Sequence, residues 1–227
     1  MPTNNRATLD RELKSIQDDL LRMGSLLDAA IQFSMQSLAT RNASLARQVV
    51  NDDAHINKLR FEIEEQCLDV IATQQPMATD LRVVVAAMNI VSDLERMADH
   101  AAGVAKIVIK MGDEPLLKPL IDLPRMAEAC RDITRKALDA YVNHDVETAK
   151  AMAKHDDVID QFHEQIFREL LTYMIEDPRT TSRALYLLFA SHNLERIGDR
   201  AVNIAERVIF MTVGEMKELS AGPDAPL

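Results

Sequence analysis

The 227-residue chain has no tryptophan, and only 4% of its residues are aromatic. β-Strands announce themselves as alternating Val, Ile, Thr and aromatic runs with turn residues every ten or so positions, and no such runs occur. Positive charge is in deficit: 26 Lys and Arg stand against 36 Asp and Glu, a formal net charge of −10. Binding to a phosphate backbone draws on clustered Lys and Arg, so nucleic acid is excluded as a partner. The two cysteines, Cys67 and Cys130, are isolated and fit no metal or redox spacing, which reads as reduced thiols in a cytosolic protein. Long apolar runs are absent too. The most apolar, Val83–Val91, spans nine residues and is interrupted by Asn89, against the roughly 20 needed to cross a bilayer. Met1–Asp10 has no apolar core and is not expected to be a secretory leader.

Glycine and proline are scarce as well, at six and eight residues. The prolines leave four long stretches uninterrupted, 3–75, 77–114, 125–177 and 179–222, filled with Ala, Leu, Glu, Arg, Met and Lys. Those are strong helix formers. With 47% apolar and 27% charged residues, the composition is that of a folded globular protein. The chain therefore reads as all-α, with helices over 8–40, 44–74, 78–111, 124–142, 145–176 and 180–212. Asn42 and Asn143–Asp145 supply capping turns. Gln75–Pro76 and Asp177–Pro178 supply hairpins, because a residue before proline is driven out of the helical region.

Three helices, a proline-rich stretch and three more helices suggest duplication. Asp93-Leu94-Glu95-Arg96-Met97-Ala98-Asp99-His100-Ala101 is matched by Asn193-Leu194-Glu195-Arg196-Ile197-Gly198-Asp199-Arg200-Ala201, always at an offset of 100. The second and fifth helices align at an offset of 103, pairing Asp53 with Asp156 and Ile56 with Ile159. The expected organisation is a first repeat at 1–111, a linker at 112–123, a second repeat at 124–219 and a flexible tail at 220–227.

On a helical wheel, Ile90, Leu94, Met97, Ala101, Val104 and Val108 form one apolar stripe, as do Ala190, Leu194, Ile197, Ala201, Ile204 and Val208. Glu95 and Asp99, and likewise Glu195 and Asp199, project together from the other side, on the outside of their bundles. His192, Asn203 and Glu206 join the second pair. Folding the chain back at each proline hairpin brings Asp53 and Asn57 beside residues 94–98, and Asp156 and Asp160 beside 199 and 195. Two carboxylates about 5 Å apart repel by about 3 kcal/mol at an effective dielectric near 20. A raised pKa, an arginine or a bound cation must offset that. All-oxygen sets favour hard divalent or trivalent ions, so Glu95, Asp99, Glu195, Asp199, Asp53, Asp156, Asp160 and Asn203 are the candidate metal ligands. Mg, Mn, Fe and Zn are not distinguished. A solvated ion-pair face, with Arg96 on Asp99 and Arg196 on Asp199, fits the same residues. His100 and His192 are weaker ligand candidates, and the twelve methionines read as core filler. A ferritin-like oxidase would need Glu-x-x-His, which is absent, and no phosphate loop, dinucleotide fingerprint or nucleophile elbow occurs.

The tandem Leu-Glu-Arg-x-x-Asp helices resemble the PhoU family of bacterial phosphate-transport accessory and signalling proteins. The resemblance extends to Leu9-Asp10-Arg11-Glu12-Leu13, Met23-Gly24, Asp53-Ala54-His55-Ile56-Asn57 and Pro76-Met77-Ala78-Thr79-Asp80-Leu81-Arg82, and so covers almost the whole chain. It implies two three-helix bundles related by pseudo-twofold symmetry, usually as a homodimer. It implies a cytoplasmic, non-catalytic negative regulator of the phosphate regulon, peripheral to the membrane only through its partners. Those partners would be the ATPase of a phosphate ABC transporter and a sensor histidine kinase. The family's metal clusters would fall on Glu95/Asp99 and Glu195/Asp199. Lys106 stands on the acidic face of the first repeat where it could compete with a cation, so the second site is expected to bind more strongly. A helical adaptor outside phosphate signalling, or a metal-dependent carboxylate-bridged enzyme, are the alternatives.

Overall fold

The computed structural model describes residues 3–215 and 218–219. Six long helices follow one another: α1 Thr3–Thr40, α2 Ala43–Gln74, α3 Thr79–Met111, α4 Asp122–Asn143, α5 Val146–Glu176 and α6 Thr181–Val213. No strand occurs among the described residues, and the protein is two tandem three-helix bundles, as expected. The tail expected at 220–227 lies outside the described residues.

The breaks fall where local chemistry puts them. Asn42 caps α2, its side-chain oxygen accepting the Leu45 N–H at 3.0 Å, and Asp145 caps α5 through the Thr148 N–H at 3.0 Å. Each cap satisfies one of the donors that a helix start leaves open. Gln75, ahead of Pro76, is left-handed at φ 48°, whereas Asp177, ahead of Pro178, is extended. Pro178–Thr180 forms one 3-10 turn before α6. Helix α4 begins at Asp122, ahead of the expected start at 124. Pro124 is tolerated there because it lies in the first turn, where its missing N–H has no intrahelical acceptor to lose. Before α4, Leu116, Leu117 and Leu120 pack against the core, and Lys118 pairs with Glu169 of α5.

Helix α1 buries Ile16, Leu20, Met23, Leu27, Ile31 and Leu38, spaced by three, four or seven residues as one helical stripe requires. Helices α3 and α6 bury far more of their circumference. Beyond the expected stripe, Ala98, Ala102 and Ala105 of α3 and Gly198, Val202 and Ala205 of α6 are inside as well. The reason is topological: each of these helices packs on the other two of its own bundle and on its counterpart across the molecule. Seven of the methionines are buried, including Met23, Met97 and Met126 at 0% exposure, which bears out their reading as core filler.

The α3–α6 contact reveals the pseudo-twofold relation. Arg200 donates to Asp93 at 3.1 Å, and His100 Nδ1 lies 3.1 Å from the Asn193 side-chain oxygen. These are the same two positions exchanged between halves. Asn203 meets Asp93, and in the mirrored contact a Cβ on Gly103 would lie 2.5 Å from Asn193.

Candidate metal centres in two helical hairpins

Each cluster sits in the groove between the last two helices of its bundle. In the second, α5 contributes Asp156 and Asp160 and α6 contributes Glu195 and Asp199, each pair one turn apart. Oxygens of Asp156, Asp160 and Asp199 lie within 4.8 Å of one another. Asp156 is only 9% exposed, and its Oδ1 has no hydrogen-bond partner. Burial, reinforced by Asp160, Asp199 and Glu195, pushes its pKa up to about 7. Burial and the charges of Asp199 and Glu195 raise Asp160 too. The close approach of Asp156 depends on Gly198, where an added Cβ would stand 2.5 Å from Asp156 Oδ1. Arg196 bonds Asp199 Oδ2 at 2.6 Å, so the expected ion pair is formed here, but on one oxygen only.

The first cluster has the same frame, with Asp53 and Asn57 on α2 and Glu95 and Asp99 on α3. Asn57 donates to Asp53 Oδ2 at 3.1 Å. Arg60 bonds Glu64 at 2.8 Å and reaches Glu95 at 3.5 Å. Burial raises the Asp53 pKa, with Asp99 and Glu95 adding to the rise and Lys106 opposing it. Its Oδ1 is also without a partner. Arg96 and Asp99 form no ion pair. Among the described residues, the second cluster brings three ligand groups together and the first does not.

The hairpin register brings Asp53 beside Glu95 and Asp99, and Asp156 and Asp160 beside Glu195 and Asp199, as expected; the depth of the clusters and the orientation of Asn203 differ. The clusters are only partly on the outer surface: Asp99 and Asp160 are exposed, whereas Asp156 is buried and the Glu95 and Glu195 side chains are 14% and 23% exposed. A wheel drawn for one helix cannot register the neighbouring helix laid alongside its acidic face. Asn203 lines an open depression of about 310 Å³ with Asp156 and Asp199, but its amide nitrogen points to Asp93, 3.5 Å away. Glu206 accepts the Leu219 N–H at 2.8 Å, which ties it to the segment after α6. The sequence reading missed Gly198, whose role depends on how closely α5 approaches, and Asp93, whose partner is in the other half.

The PhoU domain family matches this chain twice, at residues 20–108 and 123–208. The chain belongs to the PhoU family. A phosphate-specific transport system accessory protein PhoU homolog from Zymomonas mobilis is 39% identical over 216 residues, 95% of this chain and 91% of the relative. One from Aquifex aeolicus is 36% identical over 208 residues, 92% and 94% of the two chains. The crystal structure of PhoU from Pseudomonas aeruginosa superposes with a TM-score of 0.86 at 35% identity, covering 91% of this chain and 99% of that one. The phosphate transport system regulatory protein PhoU from Streptococcus pneumoniae gives 0.85 at 29% identity, covering 92% and 99%. No helix among the described residues of this PhoU-family chain is long and apolar enough to cross a membrane.

The donor set fits a hard cation. It consists of carboxylate oxygens, two of them (on Asp156 and Glu195) buried without a hydrogen bond, held by rigid helices from two sides. Asp156, Asp160, Asp199 and Glu195 are the residues that would hold it.

Proposed function

We propose that this protein is the cytoplasmic accessory subunit of a phosphate-specific transporter and a negative regulator of the phosphate regulon. It acts as a non-catalytic homodimeric scaffold between the transporter ATPase and a sensor histidine kinase, holding the kinase off when phosphate is plentiful. The observation that carries this reading is the family match in both halves, which falls on both carboxylate hairpins. Long rigid helices with acidic grooves suit recognition of basic cytoplasmic surfaces, directly or with a cation between them. A divalent or trivalent ion would supply charge neutralisation at Asp156, Asp160, Glu195 and Asp199, four groups whose mutual repulsion Arg196 relieves only at Asp199. The residues proposed for the first site are Asp53, Glu95 and Asp99. The units proposed as functional repeats are 1–111 and 124–219, with 112–123 between them.

The test is a phosphate-starvation reporter in phosphate-replete cells, with the gene present and deleted. Derepression on deletion, reversed by the intact gene, is the expected result. A reporter that does not respond to deletion overturns the regulatory assignment.

A further inference from the structure

A folded chain exposes large apolar side chains singly, and a contiguous set of them marks a surface for another molecule. Near the tip of the second hairpin, α5 carries Phe167, Leu171 and Ile175 at 43%, 41% and 73% exposure, and α6 carries Leu185 and Phe189 at 37% and 53%. Each set repeats at four residues, about one turn, and so lies along one face of its helix. The two faces adjoin. His163 Nδ1 of α5 lies 2.6 Å from the Ser191 hydroxyl of α6, and the Thr180 hydroxyl donates to the Tyr173 carbonyl at 3.0 Å. These contacts fix the register of the hairpin, with Phe167 within a turn of Phe189 and Leu171 within a turn of Leu185. Phe167 is one heptad from Asp160, Leu171 from Glu164, Leu185 from His192 and Phe189 from Arg196. Both sets therefore face the same side as the groove between the two helices.

The first half does not repeat this face. At the positions equivalent to Phe167, Ile175 and Phe189 stand Glu64, Ala72 and Asn89, while Leu68 and Val85 correspond to Leu171 and Leu185. Arg60 donates to Glu64 at 2.8 Å, and the Asn89 amide donates to the Val85 carbonyl at 2.7 Å. Phe61 and Leu68 are exposed there, but Glu64 stands between them. A face needed only for folding would recur in both repeats, which share their helices and register. The contiguous apolar set belongs to one hairpin alone.

Charge selects what covers it. Residues 156–199 carry nine carboxylates and four arginines, and three of the arginines are already engaged, Arg168 with Glu164, Arg179 with Asp177 and Arg196 with Asp199. Asp157 and Glu176, outside the cation cluster, are exposed as well. Such a surface repels an anionic bilayer, and a second copy would bring the same excess of acid against it. We propose that the α5–α6 hairpin docks a basic amphipathic helix of a partner protein. Two antiparallel helices leave a groove that suits a third, and Phe167 to Ile175 spans about 12 Å, or about two turns of the incoming helix. Its apolar stripe covers Phe167, Leu171, Ile175, Leu185 and Phe189, and its Lys or Arg side chains lie toward the acidic end of the hairpin. The inference rests on the reading of the protein as a scaffold for basic cytoplasmic surfaces, and names the face and the form of one of them.

The test places the photo-cross-linker p-benzoylphenylalanine at position 189 of the full-length protein in cells, with position 89 as the matching site of the first half. The captured peptide is identified by mass spectrometry. The expected adduct at 189 is a segment of another protein, net positive, with apolar residues three and four apart. F167S/L171S changes only exposed positions, and circular dichroism and thermal unfolding confirm that it is folded. It should cut that adduct at least tenfold, and position 89 should yield no more than a tenth of it. No adduct at 189, capture of this chain's own peptides, of lipid or of an acidic segment, or an adduct insensitive to F167S/L171S, overturns the proposal. The phosphate-starvation reporter keeps the two readings apart. A reporter unresponsive to gene deletion, with the adduct formed, removes the regulatory assignment and keeps the docking face. Derepression on deletion with no adduct at 189 removes the face and keeps the assignment.

Discussion

In the first half of the molecule, position 57 is asparagine, 60 is arginine and 106 is lysine; the second half has Asp160, His163 and Glu206 at those places. The helices, register and core are shared, and so are three of the four acidic positions. What differs is how the charge is settled. Around Asp53 and Glu95, the Asn57 amide and the Arg60 and Lys106 cations relieve it from within the chain. Around Asp156, Arg196 intervenes on Asp199 and no lysine or arginine among the described residues pairs with Asp156, Asp160 or Glu195, while a buried carboxylate oxygen is left open in both clusters, on Asp53 and on Asp156. The first cluster settles part of its charge with an amide and cations of its own chain, and the second does so less, which is why the second is proposed to bind a mobile cation more strongly.

The largest effect should come from removing the contact that holds the halves together in its charged form. Asp93→Ala leaves the Arg200 guanidinium, 18% exposed, without its partner, and should cost about 2–3 kcal/mol. Asn193→Ala, at the mirrored position, leaves only a neutral His100 contact and should cost about 1 kcal/mol. Equal losses in denaturant titrations of the two variants would show that the charge plays no part.

Next in size is Asp156. The native protein holds this proton to about pH 7, whereas the unfolded chain releases it near the ordinary carboxylate value, about 4. Between those values the native state binds more protons, so metal-free stability should fall as pH rises through that window and level off above it. Asp156→Asn should flatten that slope and stabilise the metal-free protein by about 2 kcal/mol at pH 8, while Asp53→Asn should gain less. Manganese at a hundredfold excess over its Kd should return about 2.7 kcal/mol to the wild type. Thermal unfolding from pH 5 to 8, with and without manganese, reads all three quantities, and a flat metal-free profile would contradict the charge assignment.

The smallest expected effect separates space from charge. Gly198→Ala should destabilise the protein by about 1 kcal/mol despite alanine's better helix propensity, because the new methyl meets Asp156 and Ile159. It should also weaken manganese binding. The exchange Ala98→Gly should cost about 1–2 kcal/mol through propensity and the loss of a buried methyl, and leave binding at the second cluster unaltered. A Gly198→Ala protein more stable than wild type would mean that α5 shifts to make room.

The helices and the height at which the acids meet were legible because both depend on local rules. Proline positions set the hairpins, and a hairpin fixes which residues lie level. That register placed Asp156 and Asp160 beside Glu195 and Asp199, and the same folding would have set His163 opposite His192. The depth of the clusters was not legible, since it depends on α2 and α5 lying against the acidic faces. Nor was the pairing of Asp93 with Arg200, which joins residues 107 apart in sequence. Hydrophobic stripes on α3 and α6 pointed to their own bundles, while the small residues Ala98, Ala102 and Gly198, which let other helices approach closely, carried no apolar signal of their own.

The exchanged contacts between α3 and α6 bear on ancestry. If position 93 of one half meets position 200 of the other while 193 meets 100, a single three-helix unit could have met a second copy of itself through the same surface. Asp93 would then face His100 of its twin, and Asn193 would face Arg200, both workable hydrogen-bonding pairs. Tethering such copies through residues 112–121 would make their encounter intramolecular and release each side of the joint to drift. The present Asp–Arg and Asn–His pairs are what such a released symmetry looks like: an isologous interface that has become a lock with two different keys.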